Sequence, residues 1–207
     1  MVDSYLTVEK SSNCELIEKK SKFIGYVKPV QTEKEALDFI NEKKTEHWDA
    51  RHNVYAYVIK ENNVSRYSDD GEPHGTAGVP VLDVIKKNNL ENVVVVVTRY
   101  FGGILLGTGG LVRAYSQVTN MALDCAKIIK MCLCYDCCVV CDYNQYGKLI
   151  NIIGESGGCV DNTDFFEEIK IFFHLCKKDF SALSKKVLEF SSGTLRCDIL
   201  NENFYNF

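Results

Sequence analysis

A turn that is rich in carboxylates is the first part of the sequence that could carry chemistry. Residues 67 to 80, YSDDGEPHGTAGVP, contain Asp69, Asp70 and Glu72 followed by His74, and we refer to them as the acidic turn. Grouped carboxylates bind divalent cations through oxygen ligands, and a carboxylate beside a histidine can act as an acid–base pair. However, Asp-Gly and Glu-Pro are strong turn formers, and the segment matches no specific metal or catalytic motif. A negatively charged turn before a helix is therefore favoured over a catalytic centre.

A glycine-rich passage provides the second and sharper candidate site. The stretch TRYFGGILLGTGGLVRAYS, residues 98 to 116, joins an apolar strand to the start of a helix, and we refer to residues 101–110 as the glycine loop. Such a junction can cradle an anion, because glycine lets the backbone approach a ligand and free amides point out of the helix N-terminus. Neither G-x-G-x-x-G nor the Walker pattern is present, so a dinucleotide or NTP fingerprint is absent. The candidate binding residues here are Thr98, Arg99, Tyr100, Gly102, Gly103, Gly107, Gly109, Gly110 and Arg113.

The side chains around these glycines allow two interpretations. Guanidinium groups bind phosphate in a bidentate manner and aromatic rings stack on unpaired bases, so Arg99 and Arg113 beside aromatic residues favour contact with RNA or another anion. In the alternative, Phe101, Leu105 and Leu106 belong to the core, and the glycines only ease close packing. The residue types alone leave both open.

Three polar residues upstream form a third candidate group. Arg51, His52 and Asn53 stand at the entry of the alternating strand pattern RHNVYAYVIK, residues 51 to 60. Polar side chains at the start of a strand suggest one edge of a functional face. We count them, with the three carboxylates of the acidic turn, among the binding candidates. No residue is assigned a catalytic or metal-ligating role, and no cofactor is expected.

The cysteines invite a zinc or disulfide interpretation that their spacing does not favour. Six of the ten lie between positions 125 and 141. Two C-x-x-C pairs, 134/137 and 138/141, are adjacent, whereas zinc folds separate their paired ligands by a dozen or more residues. The segment instead alternates as a strand, with Cys137, Val139 and Cys141 on one face. We predict reduced thiols that pack as small hydrophobic side chains.

Bulk composition describes an ordinary globular protein. The 207 residues are 46% hydrophobic and 25% charged, with a formal net charge of −4 that is unlike a constitutive DNA-coating protein. A local basic patch remains compatible with that total, because patches steer nucleic acid. No secretory signal pattern and no long apolar run are apparent, so a cytoplasmic protein without a membrane span is expected.

Hydrophobic periodicity and turn signals predict the elements that position the loops. Thr32 and Glu35 fit a capping box before a helix that buries Leu37 and Ile40, and Thr76 is the predicted N-cap of a second helix. The unbroken run NVVVVVT predicts a central strand covered on both faces. Predicted strands are 4–9, 14–18, 23–27, 51–60, 64–68 and 92–98, and predicted helices end near 44, 87 and 127. The third helix, from about residue 110, has an apolar stripe of Leu111, Tyr115, Val118, Ala122 and Cys125.

The remainder of the chain predicts a second domain. After about residue 130 the patterns run strand, helix, strand, strand, helix, strand, which is the β-α-β-β-α-β order of a ferredoxin-like domain. The predicted strands are 132–142, 158–163, 167–175 and 194–200, and the predicted helices are 145–153 and 180–190. We therefore predict an α+β protein with two domains, 1–130 and 131–207.

Together the N-terminal segments resemble the YigZ/IMPACT family of small bacterial and eukaryotic proteins. SKFIGYVKPV, ARHNVYAYV, YSDDGEPHGTAGVPVLDVI and NVVVVVTRYFGGILLGTGGLVRAYS follow in order over residues 21–116. The resemblance implies an N-terminal α/β sandwich similar to the second domain of a small-subunit ribosomal protein and to domain IV of elongation factor G. The C-terminal part is similar to the ferredoxin-like domain of bacterial YigZ proteins and to domain V of that factor.

The resemblance also implies a context and a set of residues. Such domains contact RNA or ribosomes, and the eukaryotic relatives regulate translation under amino-acid starvation by binding the large activator of a general-control kinase. His74 departs from the family pattern, which argues against a required base or ligand there, and Arg113 stands where either basic residue occurs, which fits a phosphate contact. Family positions fall on Asp69, Asp70, Gly71, Glu72, Pro73, Gly75, Thr76, Ala77, Gly78, Arg99, Tyr100, Gly102, Gly103, Gly107, Gly109 and Gly110.

Three functional hypotheses follow from these observations. The leading one is a non-enzymatic RNA- or ribosome-associated protein with a role in translation regulation. The alternatives are a divalent-metal-dependent hydrolase that uses the carboxylates of the acidic turn, and an interaction module for a translation-related protein. The contact face of the first would combine Arg51, Arg99, Tyr100 and Arg113. The deciding observation is whether the acidic turn and the glycine loop face one shared cleft.

Overall fold

A computed structural model describes residues 4–206 of the protein. By its internal contacts the chain divides into two units, one of residues 5–130 and one that joins Ser4 to residues 131–206, and each is described by itself. No helix within the described residues has the length and apolar character needed to cross a membrane.

The N-terminal unit is built on a five-stranded sheet whose order is β2-β3-β6-β4-β5. Its central strand contains five consecutive valines, 93 to 97, which are all fully buried. β-Branched residues suit such a strand, since they pack well on a pleated surface that is covered on both sides. The predicted central position is confirmed. The strands of this sheet are β2 (Ser12–Glu18), β3 (Ser21–Pro29), β4 (His52–Ile59), β5 (Val64–Ser68) and β6 (Val93–Tyr100), with a short 3-10 turn at Glu61–Asn63. The strand β1 (Ser4–Val8) precedes them in the chain and is not part of this sheet.

Three helices cover the two faces of this sheet. They are α1 (Glu33–Glu46), α2 (Gly78–Lys87) and α3 (Thr108–Ala126). α1 packs Phe39 and Ile40 against one face of β6, while α2 and α3 share a core with the other face. The predicted burial of Leu37 is wrong, because that side chain is 42% exposed and Ala36 takes the inward position. Cys125, assigned to the apolar stripe of α3, is likewise exposed.

The C-terminal unit has the predicted β-α-β-β-α-β order. Its elements are β7 (Ile128–Cys141), α4 (Tyr143–Glu155), β8 (Cys159–Phe165), β9 (Ile169–Cys176), α5 (Phe180–Phe190) and β10 (Cys197–Asn206). The strands pair antiparallel in the order β10-β7-β9-β8, which confirms the ferredoxin-like prediction. Cys137, Val139 and Cys141 pack in the core between the sheet and the two helices, as the alternation of the strand predicted.

Candidate functional site

The first carboxylate of the acidic turn is the N-terminal cap of α2. Asp69 accepts hydrogen bonds from the backbone N–H groups of Gly75, Ala77 and Gly78, at 2.9, 3.2 and 2.8 Å. An anion at this end of a helix satisfies free amides and complements the helix dipole. The predicted cap at Thr76 is therefore wrong: its hydroxyl donates instead to the Pro73 carbonyl, and a carboxylate nine residues before the helix takes its place.

The second carboxylate ties the turn to the neighbouring strand. Asp70 accepts from the Asn53 backbone N–H at 2.7 Å and from the Lys44 ammonium at 3.0 Å. Its carbonyl oxygen lies 2.8 Å from Nδ1 of His52. Asn53 is itself buried and accepts from the Thr98 hydroxyl through its side-chain oxygen. Asn53 and Thr98, both binding candidates from the sequence, therefore act inside the fold.

The third carboxylate belongs to a buried ion pair. Glu72 accepts from Arg99 at 2.6 Å and from the Tyr115 hydroxyl at 2.8 Å, both through Oε1. The side chains of Glu72 and Arg99 are only 3% and 6% exposed. Burial, with the adjacent Glu72 carboxylate, raises the pKa of Tyr115 far above its usual range, so its hydroxyl remains a hydrogen-bond donor.

The three carboxylates consequently do not form one ligand set. Each has its own partner: backbone amides for Asp69, Lys44 and a strand amide for Asp70, and Arg99 with Tyr115 for Glu72. Within residues 4–206, no group of three or more histidine, cysteine, aspartate or glutamate side chains is arranged to hold a metal ion.

The acidic turn and the glycine loop nevertheless face one cleft of about 530 Å³. Its volume lies within the range of small-ligand sites, which is roughly 300–1,000 Å³. The wall combines the charged side chains of Arg51, Glu72 and Arg99 with apolar ones from the glycine loop and α3. The lining residues are Arg51, His52, Gly71, Glu72, Pro73, Arg99, Phe101, Leu105, Leu106, Gly107, Thr108 and Leu111.

The N-terminus of α3 opens at the edge of this cleft. Gly107 is the N-cap residue, with a φ of 73° that favours glycine, and both it and Thr108 line the cleft. No side chain of the described residues caps this helix, and its first turn carries no acidic residue. The free amides of the first turn therefore remain available to an anion, in contrast to those of α2, which Asp69 occupies.

Two arginines contribute to the cleft in different ways. Arg51 is exposed and lines it. Arg99 is buried, and its guanidinium is engaged by Glu72 and lies 5.3 Å from the centre of the Phe23 ring. Its Nε–H has no hydrogen-bond partner among residues 4–206. Because Arg99 forms an ion pair with Glu72, the positive charge offered to a ligand comes from Arg51 and the helix N-terminus.

Tyr100 and Arg113, both expected to contact RNA or another anion, do not line this cleft. The Tyr100 hydroxyl donates to Asp49 at 3.1 Å, and the residue lines a neighbouring shallow depression that shares Arg51 and Phe101 with the cleft. Arg113 lines another depression, together with Lys19. Of the expected contact face of Arg51, Arg99, Tyr100 and Arg113, the two residues Arg51 and Arg99 line the cleft itself, and the other two line neighbouring depressions.

The glycines of the loop have separate roles. A side chain at Gly102 would overlap the backbone of Lys20, so this glycine permits a close approach of two chain segments. At Gly110 an added Cβ would meet the Leu106 side chain at 2.9 Å, while at Gly109 it would meet open space. Gly103 adopts a positive φ of 83°. The packing interpretation therefore holds for part of the loop, and only Gly107 faces the cleft directly.

Several cleft residues were absent from the candidate set drawn from the sequence. Phe101 and Leu105 remain 47% and 82% exposed, so they are not core residues. Thr108 is the first residue of α3 and lines the cleft. Tyr115 was assigned only to the apolar stripe of α3, although its hydroxyl donates a hydrogen bond to Glu72. The sequence signal that could have identified Phe101 was the position of this aromatic residue directly before the glycines. The hydrogen bond from the Tyr115 hydroxyl to Glu72 could be recognised only from the three-dimensional structure.

Comparison with known proteins agrees with this architecture. The Impact N-terminal domain family matches residues 19–123, and the domain of unknown function DUF1949 matches residues 139–194. The chain is 40% identical over 194 residues to the IMPACT family member YvyE of Bacillus subtilis, covering 93% of this chain and 89% of that protein. It is 34% identical over 187 residues to the IMPACT family member YigZ of Escherichia coli, covering 89% and 92%.

The similarity extends to a eukaryotic relative and to a solved structure. Over 114 residues the chain is 38% identical to the protein IMPACT homolog of Dictyostelium discoideum, which is 52% of this chain and 31% of that protein. A crystal structure of a hypothetical protein superposes with a TM-score of 0.62 at 31% identity, covering 98% of this chain and all of that one. The fold and the family matches define a two-domain α+β protein with an Impact N-terminal domain. The chain belongs to the IMPACT family.

Proposed function

We propose that the cleft of the N-terminal unit binds the phosphate backbone of RNA and that the protein acts in association with RNA or the ribosome, in translation regulation, without catalysis. The observation that carries the proposal is the convergence of the uncapped N-terminus of α3, the exposed Arg51 and the exposed Phe101 at one cleft. Each is a known means of holding part of a nucleotide.

The components match the parts of an unpaired nucleotide. Backbone amides at a helix N-terminus bind phosphate oxygens, and a guanidinium adds a charge-assisted contact. An exposed aromatic ring provides a stacking surface for an unpaired base, which is the usual mode of contact with single-stranded RNA. The IMPACT family resemblance adds the expectation of a translation-related context.

Salt dependence of RNA binding tests the proposal. We expect fluorescence anisotropy with a labelled single-stranded RNA to show binding that weakens steeply between 50 and 200 mM salt, because phosphate contacts release condensed counterions. Arg51→Ala should weaken binding to all sequences and lower the magnitude of the salt slope by about one. Arg113→Ala is the matched control, since it removes the same group from a neighbouring depression, away from the lining of the cleft, and should leave both values unchanged.

Two results would contradict the proposal. One is the absence of salt-sensitive binding at low ionic strength. The other is equal affinity for wild type and Arg51→Ala, with the loss appearing in Arg113→Ala. A pull-down of a translation factor that survives nuclease treatment, combined with either result, would support the protein-interaction hypothesis instead.

A further inference from the structure

The neighbour of His52 determines which nitrogen of its neutral ring carries the proton. Nδ1 lies 2.8 Å from the carbonyl oxygen of Asp70, which can only accept a hydrogen bond. Nδ1 must therefore carry the proton, and in the neutral ring Nε2 presents a lone pair. The His52 side chain is only 13% exposed, and the residue lines the cleft. The imidazole thus offers a fixed acceptor inside the proposed RNA site.

A second acceptor stands beside it. Glu72 uses Oε1 for both of its hydrogen bonds, to Arg99 and to Tyr115. Its Oε2 accepts no hydrogen bond from any described residue and lies 3.8 Å from Nε2 of His52. That distance is too long for a hydrogen bond, even if the imidazole were protonated. With the imidazole neutral, two acceptors therefore lie side by side at the wall of the cleft, and no donor of the described residues serves either of them.

We propose that Nε2 of His52 and Oε2 of Glu72 share the single hydrogen of the 2′-hydroxyl of a ribonucleotide, in a three-centre hydrogen bond, while its phosphate lies at the N-terminus of α3, so that the cleft selects RNA over DNA. This inference rests on the proposed function and names the ligand class of the same cleft. The 2′-hydroxyl is the only hydrogen-bond donor along a nucleic-acid backbone, since phosphates and the remaining sugar oxygens within the strand only accept. An RNA strand held by its sugar–phosphate backbone can therefore satisfy the acceptor pair whatever its base sequence.

Three nucleic-acid strands with the same base sequence distinguish the 2′-hydroxyl from the other possible hydrogen-bond donors of the ligand. The wild-type protein is titrated with RNA, with the same strand carrying 2′-fluoro groups, and with the uracil-containing DNA strand. The 2′-fluoro strand keeps the bases and the charge but cannot donate from the 2′ position. RNA is expected to bind about tenfold tighter than either analogue, as one hydrogen bond to a charged acceptor allows.

A substitution of His52 tests whether the preference for RNA arises from the acceptor pair of His52 and Glu72. In His52→Asn the shorter amide can still donate to the Asp70 carbonyl, but no acceptor remains at the position of Nε2. We expect the preference for RNA over the 2′-fluoro strand to fall by at least threefold, with an unchanged melting temperature. His74→Asn is the matched control, because that side chain is 95% exposed and should leave the preference unaltered.

The outcomes separate this inference from the proposed function. If no strand binds in a salt-sensitive manner, the proposed function fails and this inference fails with it. Equal affinity for RNA and its 2′-fluoro analogue, with Arg51→Ala still weakening both, would overturn the 2′-hydroxyl contact and leave phosphate binding intact. If RNA is preferred but His52→Asn keeps the full preference, the contact lies elsewhere and the assignment to His52 and Glu72 is wrong.

Discussion

The buried pair between Glu72 and Arg99 makes a strong prediction about stability. Glu72→Gln removes the negative charge but keeps an oxygen that can accept from Arg99 and Tyr115. Arg99 is then a charged group, 5% exposed, without a counter-ion among the described residues. Breaking such a pair typically costs about 3–5 kcal/mol, and we expect about 3 kcal/mol because the hydrogen bonds survive. For a chain of this size that loss lowers the melting temperature by roughly 6–12 °C.

A double-mutant cycle isolates the pairing itself. Arg99→Met alone should cost about 3–5 kcal/mol, because it strands the buried carboxylate. The double variant should cost at least 2 kcal/mol less than the sum of the single variants, since it leaves neither charge unpaired. Thermal unfolding followed by circular dichroism measures all four proteins. Lys127→Met, which breaks an exposed pair with Glu9, is the control and should cost less than 1 kcal/mol. Single losses below 1 kcal/mol that simply add would refute the view that Arg99 is held by Glu72.

Two further predictions concern the acidic turn and the thiols. Asp69→Ala removes the acceptor of three amides around the start of α2 and should destabilise the protein by about 2–3 kcal/mol in urea unfolding. The control His74→Ala should leave the free energy of unfolding unchanged. Equal stability of the two variants would exclude the capping role of Asp69. Burial raises the pKa of Cys137 to about 12, so its thiolate is scarce at pH 8 and alkylation should be far slower there than at the exposed Cys125. Mass spectrometry of timed iodoacetamide reactions compares the two rates, and equal rates would contradict the buried strand.

Local signals in the sequence were sufficient for most of the architecture. The valine run predicted a central strand because only a strand covered on both faces keeps such residues from water. The alternation of Cys137, Val139 and Cys141 likewise predicted one buried face of a strand. Errors arose where tertiary contacts override a local preference. Thr76 has the residue type of an N-cap, but the carboxylate of Asp69 reaches the same amides and binds them more strongly.

The candidate site shows the limit of sequence reasoning more clearly. The sequence located both loops, and the structure brings them to one cleft. It could not assign partners, because Glu72 and Arg99 are 27 positions apart and meet only when the sheet forms. Nor could it separate Arg51, which lines the cleft, from Arg113, which does not. Both arginines lie near the start of a predicted element, Arg51 of a strand and Arg113 of a helix, so only the three-dimensional arrangement shows which one lines the cleft.

Mapping the RNA contact by NMR tests the central claim most directly. Uniformly ¹⁵N-labelled protein is titrated with an unlabelled single-stranded RNA, and backbone amide shifts are followed to saturation. The largest shifts should fall on the Thr108 and Gly109 amides at the start of α3 and on residues around Arg51, and they should reverse as salt is added. Saturable shifts elsewhere in the molecule, with these amides unmoved, would contradict the account.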